Sequence, residues 1–195
     1  QCADAWAIAQ KVRLPADYAG VSSIVILGMG GSAIGGDLTR TLVQDRCPVP
    51  IVVSREYDLP AFAGKNTLVI GCSYSGGTEE TLSAFAQAAK KGCKLLAITT
   101  GGQLAADARR YGAPLLTFVY PAQPRGALGY GLVPLIAVLS QLELIADPWP
   151  DLQEAIAVME DQARELGPEV SNDRNPAKQL ALKLYGRLPV IYGAG

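Results

Sequence analysis

The sequence predicts an α/β fold, a doubly wound five-stranded parallel sheet flanked by helices. Three observations point to it. Short runs such as Ile24-Val25-Ile26-Leu27 and Leu68-Val69-Ile70 are apolar along their whole length, as strands buried on both faces are. Stretches of helical periodicity separate these runs, so strand and helix alternate. Two of the strands stop at turns rich in glycine and hydroxyl groups, where sheets of this kind bind ligands.

The elements follow in order. Residues 4–13 have the spacing of an amphipathic helix, with Trp6, Ile8, Ala9 and Val12 as its apolar positions. Residues 23–27 form a first strand that ends in Gly28, and residues 33–43 are helical. A second strand spans 49–54, and Pro60 closes the loop after it. The third strand, 67–72, leads to a helix over 79–91 that Gly92 stops. Residues 94–99 make a strand, 104–111 a helix and 115–119 the fifth strand. A long apolar helix over 129–145 is broken by Asp147-Pro148-Trp149-Pro150.

After that break the composition changes. Residues 152–166 read as a more polar helix ended by Gly167-Pro168, and 177–185 as another. Residues 188–195 read as a strand that ends on Gly193-Ala194-Gly195. The same succession of helix, apolar strand and Gly-x-Gly opens the chain, which points to an internal repeat. A lone first strand has no neighbours to pair with. The expected organisation is one domain over residues 1–150. Linker helices and the first strand of a truncated second domain follow over 151–195.

With 49% hydrophobic and 18% charged residues the chain can build a sizeable core, which argues against disorder. Its formal net charge is −1 with both signs interspersed, so neither nucleic acid nor a membrane surface is an expected partner. No apolar run reaches transmembrane length and no signal-peptide plan is seen, so a cytoplasmic location is expected. Cys2, Cys47, Cys72 and Cys93 are widely spaced without a metal-ligand pattern, and no metal is expected. There is no histidine, which removes the commonest general acid–base group at neutral pH.

The turn after the third strand carries Ser73, Ser75, Gly76, Gly77 and Thr78 just before a helix starts. That order aims free backbone N–H groups and the positive end of a helix at one spot, which suits an anion. The plainer reading is an N-cap, but three hydroxyls and two glycines exceed what capping needs. Glu79 and Glu80 weigh slightly against an anion, although acidic residues also favour a first helical turn.

The other turn, Gly28-Met29-Gly30-Gly31-Ser32-Ala33, fits G-x-G-x-x-A. A dinucleotide site would want an acid at the end of the second strand. Ser54 and Arg55 stand there instead, which leaves open the 2′-phosphate of NADP, or a tight turn with no ligand. In a sheet of order 2-1-3-4-5 the first and third strands are neighbours at the switch point. Gly30, Gly31 and Ser32 would then lie beside Ser73, Ser75 and Thr78. A small phosphorylated ligand uses both clusters, whereas a dinucleotide does not require the second. Glu56 and Asp58 read as surface carboxylates of a loop. Arg125 is either a surface arginine after a proline or a fixed guanidinium that can stabilise developing negative charge.

GMGGSAIGGD, SYSGGTEET and PRGALGY resemble the N-terminal half of the bifunctional phosphoglucose/phosphomannose isomerases, members of the sugar isomerase (SIS) superfamily. The resemblance covers nearly the whole chain. It implies two SIS domains per chain and a homodimer that interconverts the 6-phosphates of glucose, mannose and fructose. The implied reaction is an aldose–ketose isomerisation through an enediol(ate), in glycolysis and gluconeogenesis, without metal or organic cofactor. By motif, Ser32, Ser73, Ser75 and Thr78 would hold the phosphate, and Gly30 and Gly31 would line the sugar pocket through their backbones. Arg125 would steady the charge of the intermediate. Gly77 departs from the asparagine often found at its position. The base, a glutamate, and the ring-opening histidine of the family would lie beyond Gly195, leaving this chain the binding half of the site and inactive by itself. The alternative is a non-catalytic SIS module that senses a sugar phosphate. An NADP-dependent oxidoreductase ranks third.

Overall fold

The computed structural model describes residues 1–193; Ala194 and Gly195, the end of the expected C-terminal strand, lie outside them. By its contacts the chain divides into two units, Gln1–Trp149 and a second from Pro150 on.

The first unit holds α1 (Cys2–Lys11), β1 (Ser23–Leu27), α2 (Gly30–Val43), β2 (Ile51–Ser54), β3 (Thr67–Ser73) and α3 (Glu79–Lys90). They are followed by β4 (Lys94–Thr99), α4 (Gly102–Tyr111), β5 (Leu115–Thr117) and α5 (Leu128–Gln141). The strands form one five-stranded sheet in the order β2-β1-β3-β4-β5, with every neighbouring pair parallel. This is the expected doubly wound order. The register sets Leu27 opposite both Ser54 and Gly71, so the C-terminal ends of β1 and β3 lie side by side.

The core forms because the central strands have no polar face. All residues of β1 and β3 are buried, and Val25, Val69, Phe85, Leu104 and Ala108 pack in one cluster under α3 and α4. Each large side chain so buried contributes roughly 1.5–3 kcal/mol. Across the other face α2 crosses α5 at two glycines. A Cβ on Gly35 would run into the carbonyl of Gly131, so α2 does not tolerate a side chain there without moving away from α5. The second glycine pair of GMGGSAIGGD is therefore a packing feature.

Several boundaries differ from expectation. The α2 helix starts at Gly30, three residues earlier than residues 33–43, so Gly31 and Ser32 are its first turn and not a loop. The β5 strand stops at Thr117, because only Leu115, Leu116 and Thr117 find partners on β4. The α5 helix ends at Gln141; Glu143 takes a left-handed φ of 57°, which ends helical propagation before the expected 145. Short 3-10 turns at Ala16–Tyr18 and Pro124–Gly126 had no periodic signal.

The second unit contains α7 (Pro176–Leu184) and all of α6 (Trp149–Glu165) but its first residue. The expected breaker instead opens α6: Asp147 accepts from the Trp149 amide at 3.0 Å, and Pro150 sits in the first turn, where its missing N–H costs nothing. Asn175 caps α7 by accepting from the Lys178 amide at 3.1 Å. Residues 188–193 form no strand. Leu188, Ile191 and Tyr192 are about nine-tenths exposed, as expected for apolar residues with no sheet to join.

Candidate functional site

The C-terminal ends of β1 and β3 open into a cavity of about 200 Å³. Gly31 and Ser32 line it from the first turn of α2, and Ser73, Tyr74, Ser75 and Thr78 from the turn that joins β3 to α3. Phe118, Pro124, Ala127 and Tyr130 close the far side. The two hydroxyl- and glycine-rich turns, 42 residues apart at Ser32 and Tyr74, are joined directly: the Tyr74 amide donates to Ser32 Oγ at 3.3 Å.

Capping does not account for the hydroxyls. Neither α2 nor α3 has a side-chain cap. Thr78, the N-cap residue of α3, instead shares a hydrogen bond of 2.8 Å between its Oγ1 and Ser73 Oγ. Ser73 Oγ also accepts from the Gly76 amide at 3.0 Å, and Ser75 Oγ from the Gly77 amide at 3.2 Å. The hydroxyls thus shape the turn, while the first amides of both helices keep no side-chain partner. No charged side chain lines the cavity among the described residues. An anion there would meet hydroxyls, backbone amides and two positive helix ends. Glu79 turns aside to accept from the Tyr57 hydroxyl at 3.4 Å.

A third turn, after β4, holds the β3 turn in place. Thr100 donates to the Tyr74 carbonyl through its amide (3.1 Å) and its hydroxyl (2.7 Å), and the Leu104 amide donates to the Gly76 carbonyl at 2.8 Å. Gly76 has a φ of +68° and lies so close to the Gly101 carbonyl that no side chain fits. Sequence reasoning missed this support, although Thr99-Thr100-Gly101-Gly102 ends β4 as visibly as the other turns end β1 and β3.

It missed the aromatic wall as well. Tyr130 stacks on Phe118 with centroids 4.6 Å apart and planes at 3°, and Tyr120 lies 5.9 Å from Tyr130. The Tyr130 hydroxyl donates to Asp4 at 2.6 Å, and that bond pushes its pKa up to about 12. The clustering of Phe118, Tyr120 and Tyr130 around PRGALGY was the available signal. Cys72 lines the cavity too, but full burial pushes its thiol up to about 12, so it stays protonated and is no nucleophile at neutral pH.

The expected residues divide as follows. Gly31, Ser32, Ser73, Ser75 and Thr78 come together as lining. Gly30 is exposed, starts α2 with a φ of +49°, and is not part of the lining. Arg125 is exposed on the Pro124–Gly126 turn; its Cα lies 3.9 Å from where a Cβ of Gly31 would be, so its backbone covers the β1 turn. Glu56 and Asp58 are exposed in the loop after β2. Arg55, the candidate for a 2′-phosphate, is engaged by the carboxylate of Asp37. Among the described residues no group of three or more His, Cys, Asp or Glu could hold a metal ion, and no helix is long and apolar enough to cross a membrane.

The order of the sheet, with a cavity at its switch point, is a fold shared with solved proteins named as phosphosugar isomerases. A proposed phosphosugar isomerase of Bacillus subtilis superposes with a TM-score of 0.64 at 19% identity, over 93% of this chain and 57% of that one. The phosphoheptose isomerase of Neisseria gonorrhoeae superposes with a TM-score of 0.55 at 16% identity, over 73% of this chain and 86% of that one. By sequence the chain is similar to bifunctional phosphoglucose/phosphomannose isomerases. It is 44% identical to that of Caldicellulosiruptor bescii over 193 residues, which is 99% of this chain and 57% of the relative. The chain spans about half the length of the curated relatives it matches, 57%, 50% and 51% of three of them. No protein-family model matches it.

Proposed function

We propose that this chain supplies the phosphate- and sugar-binding half of a hexose 6-phosphate isomerase. The observation that carries the reading is the pairing of Ser73 with Thr78 across an uncapped helix start, beside Ser32 and Ser75 in an uncharged cavity. A phosphate held there replaces its water with hydroxyl and amide donors, and the helix ends balance its charge. Ser32, Ser73, Ser75 and Thr78 bind the phosphate, and Gly31, with Gly30 behind it, offers backbone to the sugar. Arg125 swings from its exposed turn onto the enediol(ate) as charge develops on the sugar oxygens.

The whole protein then interconverts glucose 6-phosphate or mannose 6-phosphate with fructose 6-phosphate, in the carbohydrate metabolism of the cytoplasm and as a homodimer. In this reading residues 1–150 are the first SIS domain, and residues 151–195 link it to a second that supplies the base and the ring-opening group. The chain has no histidine, so it does not isomerise by itself. A coupled assay of fructose 6-phosphate conversion by the full-length protein tests the reading. Arg125→Ala should lower kcat by roughly 10²–10³-fold, as loss of an oxyanion donor does, and Arg125→Lys should restore little. Robust turnover by this chain alone would remove the split site, and a fully active Arg125→Ala enzyme would remove the role of Arg125.

A further inference from the structure

Nothing in the motifs assigns a role to the first helix, yet it reaches the cavity wall at two points. Gln1 donates from Nε2 to the Gly126 carbonyl at 2.8 Å, and Asp4 accepts from the Tyr130 hydroxyl at 2.6 Å. Gly126 ends the turn that carries Arg125, and Tyr130 follows it in the first turn of α5. Gly129 lies against Gln1 and Cys2 so closely that an added Cβ would come within 2.9 Å of Gln1 Cβ. The other edge of this segment is held by aromatic groups. Phe118 stacks on Tyr130, and Tyr74, from the phosphate-side turn, meets Phe118 edge-on with centroids 6.1 Å apart. The Tyr74 hydroxyl in turn donates to the Ala122 carbonyl at 3.0 Å. Tyr130 is the point where these restraints meet: it is 6% exposed, lines the cavity and has its one hydroxyl proton committed to α1.

We propose that Tyr130 is a positioning residue, and that the Asp4–Tyr130 hydrogen bond makes α1 a brace that fixes the sugar-side wall and the Arg125 turn relative to the phosphate grip. A hydrogen bond anchored at both ends by packed elements holds a wall more tightly than packing alone, because sliding would break it. The phosphate-side turn has its own support from Thr100 and Gly101, so the two ends of the cavity are held by different parts of the chain. The inference rests on the reading that this cavity takes a sugar phosphate.

The test is calorimetry on the chain with fructose 6-phosphate and, separately, inorganic phosphate. Tyr130→Phe keeps the ring and its stack, and Asp4→Ala changes an exposed residue, so both should fold with unchanged thermal midpoints within a few degrees. Each should weaken fructose 6-phosphate about three- to tenfold, because the bond acts on the ligand only through the wall it positions, while inorganic phosphate is unaffected. Asp4→Asn, whose amide oxygen still accepts from the phenol, should recover most of the loss. The double variant should be no worse than either single one. Unchanged fructose 6-phosphate affinity in Tyr130→Phe overturns the proposal, and so does a parallel loss for both ligands. Failure of the unsubstituted chain to bind fructose 6-phosphate removes the reading of the cavity, and this inference with it.

Discussion

The turns after β1 and β3 line the same cavity and are built from similar residues, yet they are held in opposite ways. Three hydrogen bonds and a glycine–carbonyl contact fix the β3 turn: Thr100 and Leu104 donate to its carbonyls, and Gly76 sits against Gly101. The β1 turn has one such tie, from the Tyr74 amide to Ser32. Its Gly30 and Gly31 are exposed, and a Cβ at Gly30 would meet nothing within 4 Å. A rigid turn suits a fixed anion whose oxygens must meet donors in set directions. Bare backbone under the Arg125 turn leaves room for the variable part of a ligand. Glycine content alone does not separate these uses; what packs on the glycine does.

The contrast can be broken first at its strongest point. Gly76→Ala should cost about 2–5 kcal/mol, the left-handed backbone penalty plus overpacking against the Gly101 carbonyl, and should abolish phosphate binding. Urea denaturation with a phosphate titration measures both. A stable, binding-competent Gly76→Ala would mean that the turn is not rigidly held.

Next in size come the hydroxyls. Ser73→Ala and Thr78→Ala should each weaken phosphate by ~1.5–3 kcal/mol, tenfold and upward, since each removes a donor to a charged group. Competition by inorganic phosphate reads this. No change in either variant would reduce the pair to a device that shapes the turn.

The smallest effect belongs to the open turn. Gly30→Ala should cost only about 1–2 kcal/mol, because its φ of +49° is strained for alanine but the space is empty. Phosphate affinity should survive. A loss as large as that of Gly76→Ala would show the two turns to be equally constrained.

Much of this was legible because it is local. Fully apolar runs gave the strands, and their alternation with helices gave the parallel order, since both follow from what a strand buried on two faces must look like. The gathering of Ser32, Ser73, Ser75 and Thr78 followed from that order. What escaped depends on contacts distant in sequence. The start of α2 at Gly30 escaped because glycines are poor helix formers, and only packing of Gly35 on Gly131 repays them. The brace from Thr100 to Tyr74, 26 residues apart, and that from Asp4 to Tyr130, 126 apart, leave no periodic trace. Residues 188–193 carry a strand's pattern yet form no strand, because a pattern becomes a strand only where a neighbour pairs with it.

The central claim is that the β3 turn is an anion cradle within a sugar-phosphate site. Isothermal titration of the unmodified chain with fructose 6-phosphate and with unphosphorylated fructose tests it most directly. Saturable binding of the phosphorylated sugar with none measurable for fructose is the predicted result. Equal binding of the two, or binding of neither, would contradict it.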